Sequence, residues 1–129
     1  MFYEQDWVMR QIKMMLEFVT RVVFHKDIAD YVIEDESCKT ETRRLSEKLN
    51  ALSQGGKICE AEDLLFKNRD DSSRDFLALA LNFYQKLNRM SDEELQRGNF
   101  SRNEIQEGLH DILKGRSDVP QLPFFEETK

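Results

Sequence analysis

An all-α fold is predicted by three features of this sequence. Glu, Lys, Leu and Arg, all good helix formers, are abundant, whereas the 129 residues include only 2 Pro and 5 Gly. Runs rich in Val, Ile and Thr, which mark strands, are nearly absent. Apolar residues recur instead at the helical period, in about five main helices. The length suits one core, so residues 1–115 are expected to form a single helical domain and residues 116–129 an extended C-terminal tail.

The first helix is expected over about residues 3–24. Val8, Ile12, Met15, Val19 and Val22 form one stripe, widened by Leu16 and Val23. Asp6, Arg10, Lys13, Glu17 and Arg21 gather on the opposite side, and Trp7, Met14 and Phe18 make a second apolar row beside the stripe. The apolar arc is wider than one neighbouring helix needs. This helix therefore packs on two sides or meets another chain.

Residues 25–39 break the period and read as an acidic connector carrying Asp27, Asp30, Glu34, Asp35 and Glu36. Thr40 is the expected N-cap of a second helix reaching about Ser53, with Leu45, Leu49 and Leu52 inward. Gly55-Gly56 should end it. A third helix over about Ile58–Asn68 faces inward with Ile58, Ala61, Leu64 and Leu65, and the short link predicts an antiparallel hairpin.

The fourth helix, from the Asp70–Ser73 break to about Asn88, is the most hydrophobic and the expected centre of the core. Its stripe is Phe76, Ala80, Phe83, Leu87 and Met90, flanked by Leu79 and Tyr84. Ser91-Asp92-Glu93-Glu94 and Ser101-Arg102-Asn103-Glu104 both fit the S-x-x-E capping box. The first predicts a helical turn ending before Gly98. The second starts a fifth main helix with Ile105, Leu109, Ile112 and Leu113 inward and Gly115 at its end.

Charge and motifs narrow the function. A net charge of −6 disfavours nucleic acid, and there is no cluster of four or more Lys/Arg. No apolar run approaches membrane-span length, and the N-terminus carries Glu4 and Asp6 where a signal peptide would be basic; a cytoplasmic location is expected. Two cysteines, Cys38 and Cys59, with two histidines are too few for an evident zinc site, and reduced thiols are the simplest reading. P-loop, dinucleotide-binding and nucleophile-elbow motifs are missing, and no cofactor is expected. The carboxylates of Glu60, Glu62 and Asp63, and of Asp92, Glu93 and Glu94, fall in first turns of helices, where they complement the helix dipole.

Glu107-x-x-His110 is the sharpest chemical pattern, because Glu and His three apart on a helix can both ligate a metal. A full di-metal site needs a second such pair, which this chain lacks because residue 22, three before His25, is Val22. Cysteine–histidine catalysis would require Cys38 or Cys59 beside His25 or His110, and no spacing places them there.

Two resemblances add to this reading. Leu45, Leu49 and Leu52 before the turn at Gly56, with Ala61 five residues later, resemble the turn and second helix of a tetratricopeptide repeat. The usual aromatic and proline landmarks are missing, and a generic helix bundle has the same needs. Met1-Phe2-Tyr3-Glu4-x-Asp6-Trp7-x-Met9-Arg10-Gln11-Ile12, Ala61-Glu62-x-Leu64-Leu65-Phe66 and Ser91-Asp92-Glu93-Glu94-Leu95 followed by Gly98-Asn99-Phe100-Ser101-Arg102-x-Glu104-Ile105 look like an uncharacterised bacterial family, a domain of unknown function found mainly in Firmicutes. That resemblance covers nearly the whole chain. It implies a helical, repeat-like fold and a bacterial cytoplasm, and it assigns no activity.

The expected function is a non-enzymatic helical module that recognises a protein or peptide through a groove between helices, with self-association as one form. The alternative is a small metal-binding protein or metal-dependent enzyme using Glu107 and His110. Trp7, Met14 and Phe18 are the candidate partner surface, unless the connector or the tail covers them.

Overall fold

A computed structural model describes residues 2–25 and 40–119. The expected connector, apart from His25, and the tail from residue 120 lie outside the described residues, as does Cys38. The described part is all-α: α1 (Phe2–Val19), α2 (Thr40–Gln54), α3 (Ile58–Lys67), α4 (Arg74–Arg89), α5 (Asp92–Arg97) and α6 (Arg102–Lys114). Helix α4 runs through the middle. It packs on α2 to one side and on α1 and α6 to the other, α2 pairs with α3, and α1 also packs on α6.

The inward stripes follow the helical period. Ile12, Met15, Leu16 and Val19 of α1 are buried, with Leu49 of α2, Ile58, Ala61 and Leu65 of α3, and Ile105, Leu109, Ile112 and Leu113 of α6. Every residue of α4 from Phe76 to Tyr84 is buried. A helix buried all round, rather than along one stripe, has neighbours on every side.

Helix α1 continues directly into a π-helical turn, Thr20–Phe24, closed by His25 in the left-handed conformation (φ 58°). The π turn holds more residues per turn than an α-helix, so it rotates the following side chains out of register. Thr20 is fully buried and its hydroxyl donates to the Leu16 carbonyl at 2.6 Å. Val22, expected in the core stripe, is instead 39% exposed, and Val23 packs against the core. Arg74 secures the end of the turn. It donates to the Val23 carbonyl at 2.8 Å and lies 4.9 Å from the centre of the Phe24 ring.

Helix α2 ends as its glycines predict. Gly56 has φ 82°, the Gly56 N–H donates to the Ser53 carbonyl at 3.1 Å and the Lys57 N–H to Leu52 at 2.8 Å, a Schellman closure. Thr40, the expected N-cap, is the first helical residue. Ser73 caps α4 by accepting from the Phe76 N–H, and α5 and α6 both begin with complete capping boxes, Ser91 with Glu94 and Ser101 with Glu104.

The stretch after α6 is anchored as far as it is described. The buried Arg116 guanidinium donates to the Asp70 carbonyl at 3.2 Å and grips Asp118 through two bonds of 2.9 Å, and Val119 packs against the core.

Candidate partner-binding surface

Helix α1 divides between two environments. One face is sealed against α4 and α6; the other carries Trp7 at 58% and Met14 at 46% exposure, which with Val22 of the following π turn at 39% are the exposed large hydrophobics among the described residues. Trp7 and Met14 are seven residues apart, two helical turns, and Phe18 follows one turn after Met14. Phe18 is half-buried and packs against the core, so the predicted row turns inward there. Gln11 lies within the row and accepts a hydrogen bond from Gln106 Nε2 of α6 at 2.8 Å, which sets the row along the seam between α1 and α6. On the far side, Asn88 of α4 donates to the Met9 carbonyl at 3.2 Å. Arg10, Lys13 and Arg21 are exposed around the row. An apolar strip bordered by charge can accept the apolar face of another helix; it offers no nucleophile and no acid–base pair.

Two open grooves lie elsewhere. One of about 590 Å³ runs between α2 and the start of α4, with Leu45, Phe76 and Leu79 among charged residues such as Glu41, Arg44 and Lys48. Another of about 790 Å³ lies at the opposite end, between the Gly55-Gly56 turn and Lys86, Arg89 and Arg97. Trp7, Met14 and Phe18 line neither. Neither of these two grooves coincides with the apolar row.

The polar candidates resolve into structural roles or isolation. Glu107 is exposed and His110 half-buried on α6, and among the described residues no three or more His, Cys, Asp or Glu side chains are grouped to hold a metal ion. Cys59 is exposed and its Sγ donates to the Asn99 carbonyl at 3.7 Å. Partial burial and then the carboxylates of Glu104, Glu62 and Asp63 push its thiol up, the opposite of what activates a nucleophilic cysteine.

Three groups carry more than their place in the sequence indicates. Tyr84 is fully buried and its hydroxyl donates to Glu62 Oε2 at 2.7 Å. Burial raises the Glu62 carboxyl above its ordinary value, opposed by that hydrogen bond and reinforced by Glu104, Asp63 and Asp111. The pair sits against Gly108 of α6, where a Cβ would collide with the Tyr84 hydroxyl and with Glu62 Oε2. Glu62 is thus a pin joining α3, α4 and α6 and not the first-turn carboxylate expected, since the acid in the first turn of α3 is Glu60. Arg102, only 3% exposed, donates to the Asn88 carbonyl at 3.0 Å, the Met90 carbonyl at 2.6 Å and Asp92 at 3.1 Å, closing the end of α4 onto the start of α5. Nothing in its spacing marks it beyond its position after the Ser101 cap. Arg116 does the same for the Asp70 loop.

The packing and this inventory define a small all-α domain organised around one buried helix, with an apolar strip on its N-terminal helix. The chain belongs to a family of unknown function, DUF6483, whose family model matches residues 2–117 and so spans all six helices. No curated protein and no solved structure matches it. Among the described residues, no helix is long and apolar enough to cross a membrane.

Proposed function

We propose that this protein is a non-enzymatic interaction module of the bacterial cytoplasm that docks another protein on the outer face of α1. One observation carries the reading: Trp7, Met14 and Val22 are the exposed large hydrophobics among the described residues, two of them on α1 and the third on the π turn that continues it. Scattered exposed apolar residues are ordinary, whereas a run of them on one element marks a contact surface. Tryptophan and methionine are enriched at such surfaces. The α2–α3 hairpin, closed at Gly56 with Ala61 fully buried, supports a repeat-like scaffold in which helices are held rigid while one face recognises a partner.

The test is affinity capture from the native cell with the full chain and with a Trp7→Ser/Met14→Ser variant. A Glu107→Gln variant serves as a control on a different helix. Proteins retained by the wild type and the control should be lost from the double variant, with its helical circular dichroism unchanged. An identical set of captured proteins in all three would end the proposal.

A further inference from the structure

We infer that the occupant of the α1 face is a second copy of this chain, packed antiparallel across a two-fold axis beside Met14. The inference rests on the reading of α1 as a contact surface and adds the identity of the partner. Its basis is that the outer face of α1 is self-complementary when reversed about Met14. Trp7 and Val22 lie seven and eight residues to either side of Met14, and Arg10 and Glu17 lie four and three. Reversal therefore sets Trp7 alongside the exposed Arg21 and Val22 of the second copy, on the π turn that continues α1, and Arg10 alongside Glu17 of the second copy. The mismatch is one residue, about 1.5 Å of helix rise. The symmetry repeats each contact, giving two apolar contacts and two ion pairs around a central Met14–Met14 contact.

Charge selects the antiparallel arrangement. Arg10 and Glu17 are seven residues apart and so share one flank of the helix. In a parallel two-fold pair the axis runs along the helices and sends this flank to the opposite side of the seam, so Arg10 and Glu17 gain no partner in each other's copies. Antiparallel packing turns the same flank into two attractive pairs. Among the described residues Arg10 and Glu17 form no ion pair. Lys13, also exposed on α1, lies to the side of this flank.

The size of the strip sets the strength. Helix α1 has 18 residues, about 27 Å, and one helix face of that length falls short of the roughly 800 Å² per partner of a standard interface. The dimer is therefore reversible and must be read over a concentration series.

Sedimentation equilibrium of the full chain should show monomer at low micromolar concentration and a rising dimer fraction toward millimolar. Arg10→Glu and Glu17→Arg should each weaken association by about tenfold, as two rim ion pairs become repulsive. The Arg10→Glu/Glu17→Arg double variant should restore it. Met14→Cys, in a Cys59→Ser background, should give a new disulfide-linked dimer under mild oxidation that the background alone does not. Circular dichroism on each variant checks that the fold is intact. A wild type that stays monomeric to millimolar concentration, or a double variant no better than the singles, overturns the inference. Capture of a different protein that depends on Trp7 and Met14, with no self-association, would overturn this inference and leave the contact-surface reading standing.

Discussion

Replacing Gly108 by alanine tests how α3, α4 and α6 are held together. A Cβ at this position collides with the Tyr84 hydroxyl and with Glu62 Oε2. Tyr84 is fully buried and has no room to retreat, so the 2.7 Å hydrogen bond must lengthen or break. Overpacking costs about 1–3 kcal/mol, and an impaired buried hydrogen bond adds about 1–2 kcal/mol. Alanine in place of glycine inside a helix returns about 1 kcal/mol. The net expectation is a loss of about 2 kcal/mol. In urea that moves the unfolding midpoint down by about 1 M, taking a slope of about 2 kcal/mol per molar.

The decisive measurement is a double-mutant cycle with Tyr84→Phe. Removing the hydroxyl takes away the atom nearest the new methyl and frees Glu62 to swing outward. Phenylalanine keeps the ring carbon 2.9 Å from the new methyl, so Gly108→Ala should still cost about 1 kcal/mol in the Tyr84→Phe background, a coupling of about 1 kcal/mol. Equal penalties in the two backgrounds would refute the claim that the glycine exists to admit the tyrosine–glutamate pair.

Arg102→Met leaves the Asn88 and Met90 carbonyls without their buried donor and should cost about 3 kcal/mol in urea unfolding, against less than about 0.5 kcal/mol for an exposed control such as Arg97→Met. Ser101→Ala removes one half of a capping box and should cost about 1 kcal/mol by the same assay. Glu62 predicts a pH dependence whose sign is set by its raised pKa. The folded state holds the proton more tightly than the unfolded chain, so this group's stabilising contribution is complete below its ordinary value of 4.5 and is lost as pH rises through the folded value. Asp118, whose pKa is lowered chiefly by its hydrogen bond to Arg116, contributes oppositely, losing stability only as pH falls below its ordinary 3.8. Glu62→Gln should therefore flatten the decline of stability with rising pH just above 4.5; an unchanged slope, measured by urea midpoints at each pH, would count against it.

The parts legible in the sequence were those written by local rules. The stripes of α3 and α6 follow from periodicity because their apolar residues meet the core directly; the predicted stripe of α4 is only part of its buried surface, since Leu77, Ala78 and Leu81 are buried too and Met90 only partly. The caps at Ser91 and Ser101 and the stop at Gly56 need only neighbouring residues. What was not legible depends on distant partners. The turn that carries Val22 outward involves the Thr20 hydroxyl and Arg74, 51 residues beyond Val23. Arg102 and Arg116 are charged and buried, which apolar periodicity cannot signal, because their burial is decided by carbonyls at the ends of other helices. The apolar row of α1 was legible as a row. That Trp7 and Met14 face outward while Phe18 turns in depends on where the rest of the core lies against α1, and no spacing within α1 encodes that.

The burial of α4 from Phe76 to Tyr84 bears on how the protein opens. Detaching α1, α2 or α6 would wet the central helix, so none of the three can leave as an independent unit. Amide hydrogens along α4 should exchange with solvent only when the whole chain unfolds, and those of the π turn and the outer end of α1 well before. On the proposed reading of α1 as a contact surface, the Trp7–Met14 stretch is therefore held in place by the fold itself, and a partner would add to a surface already formed.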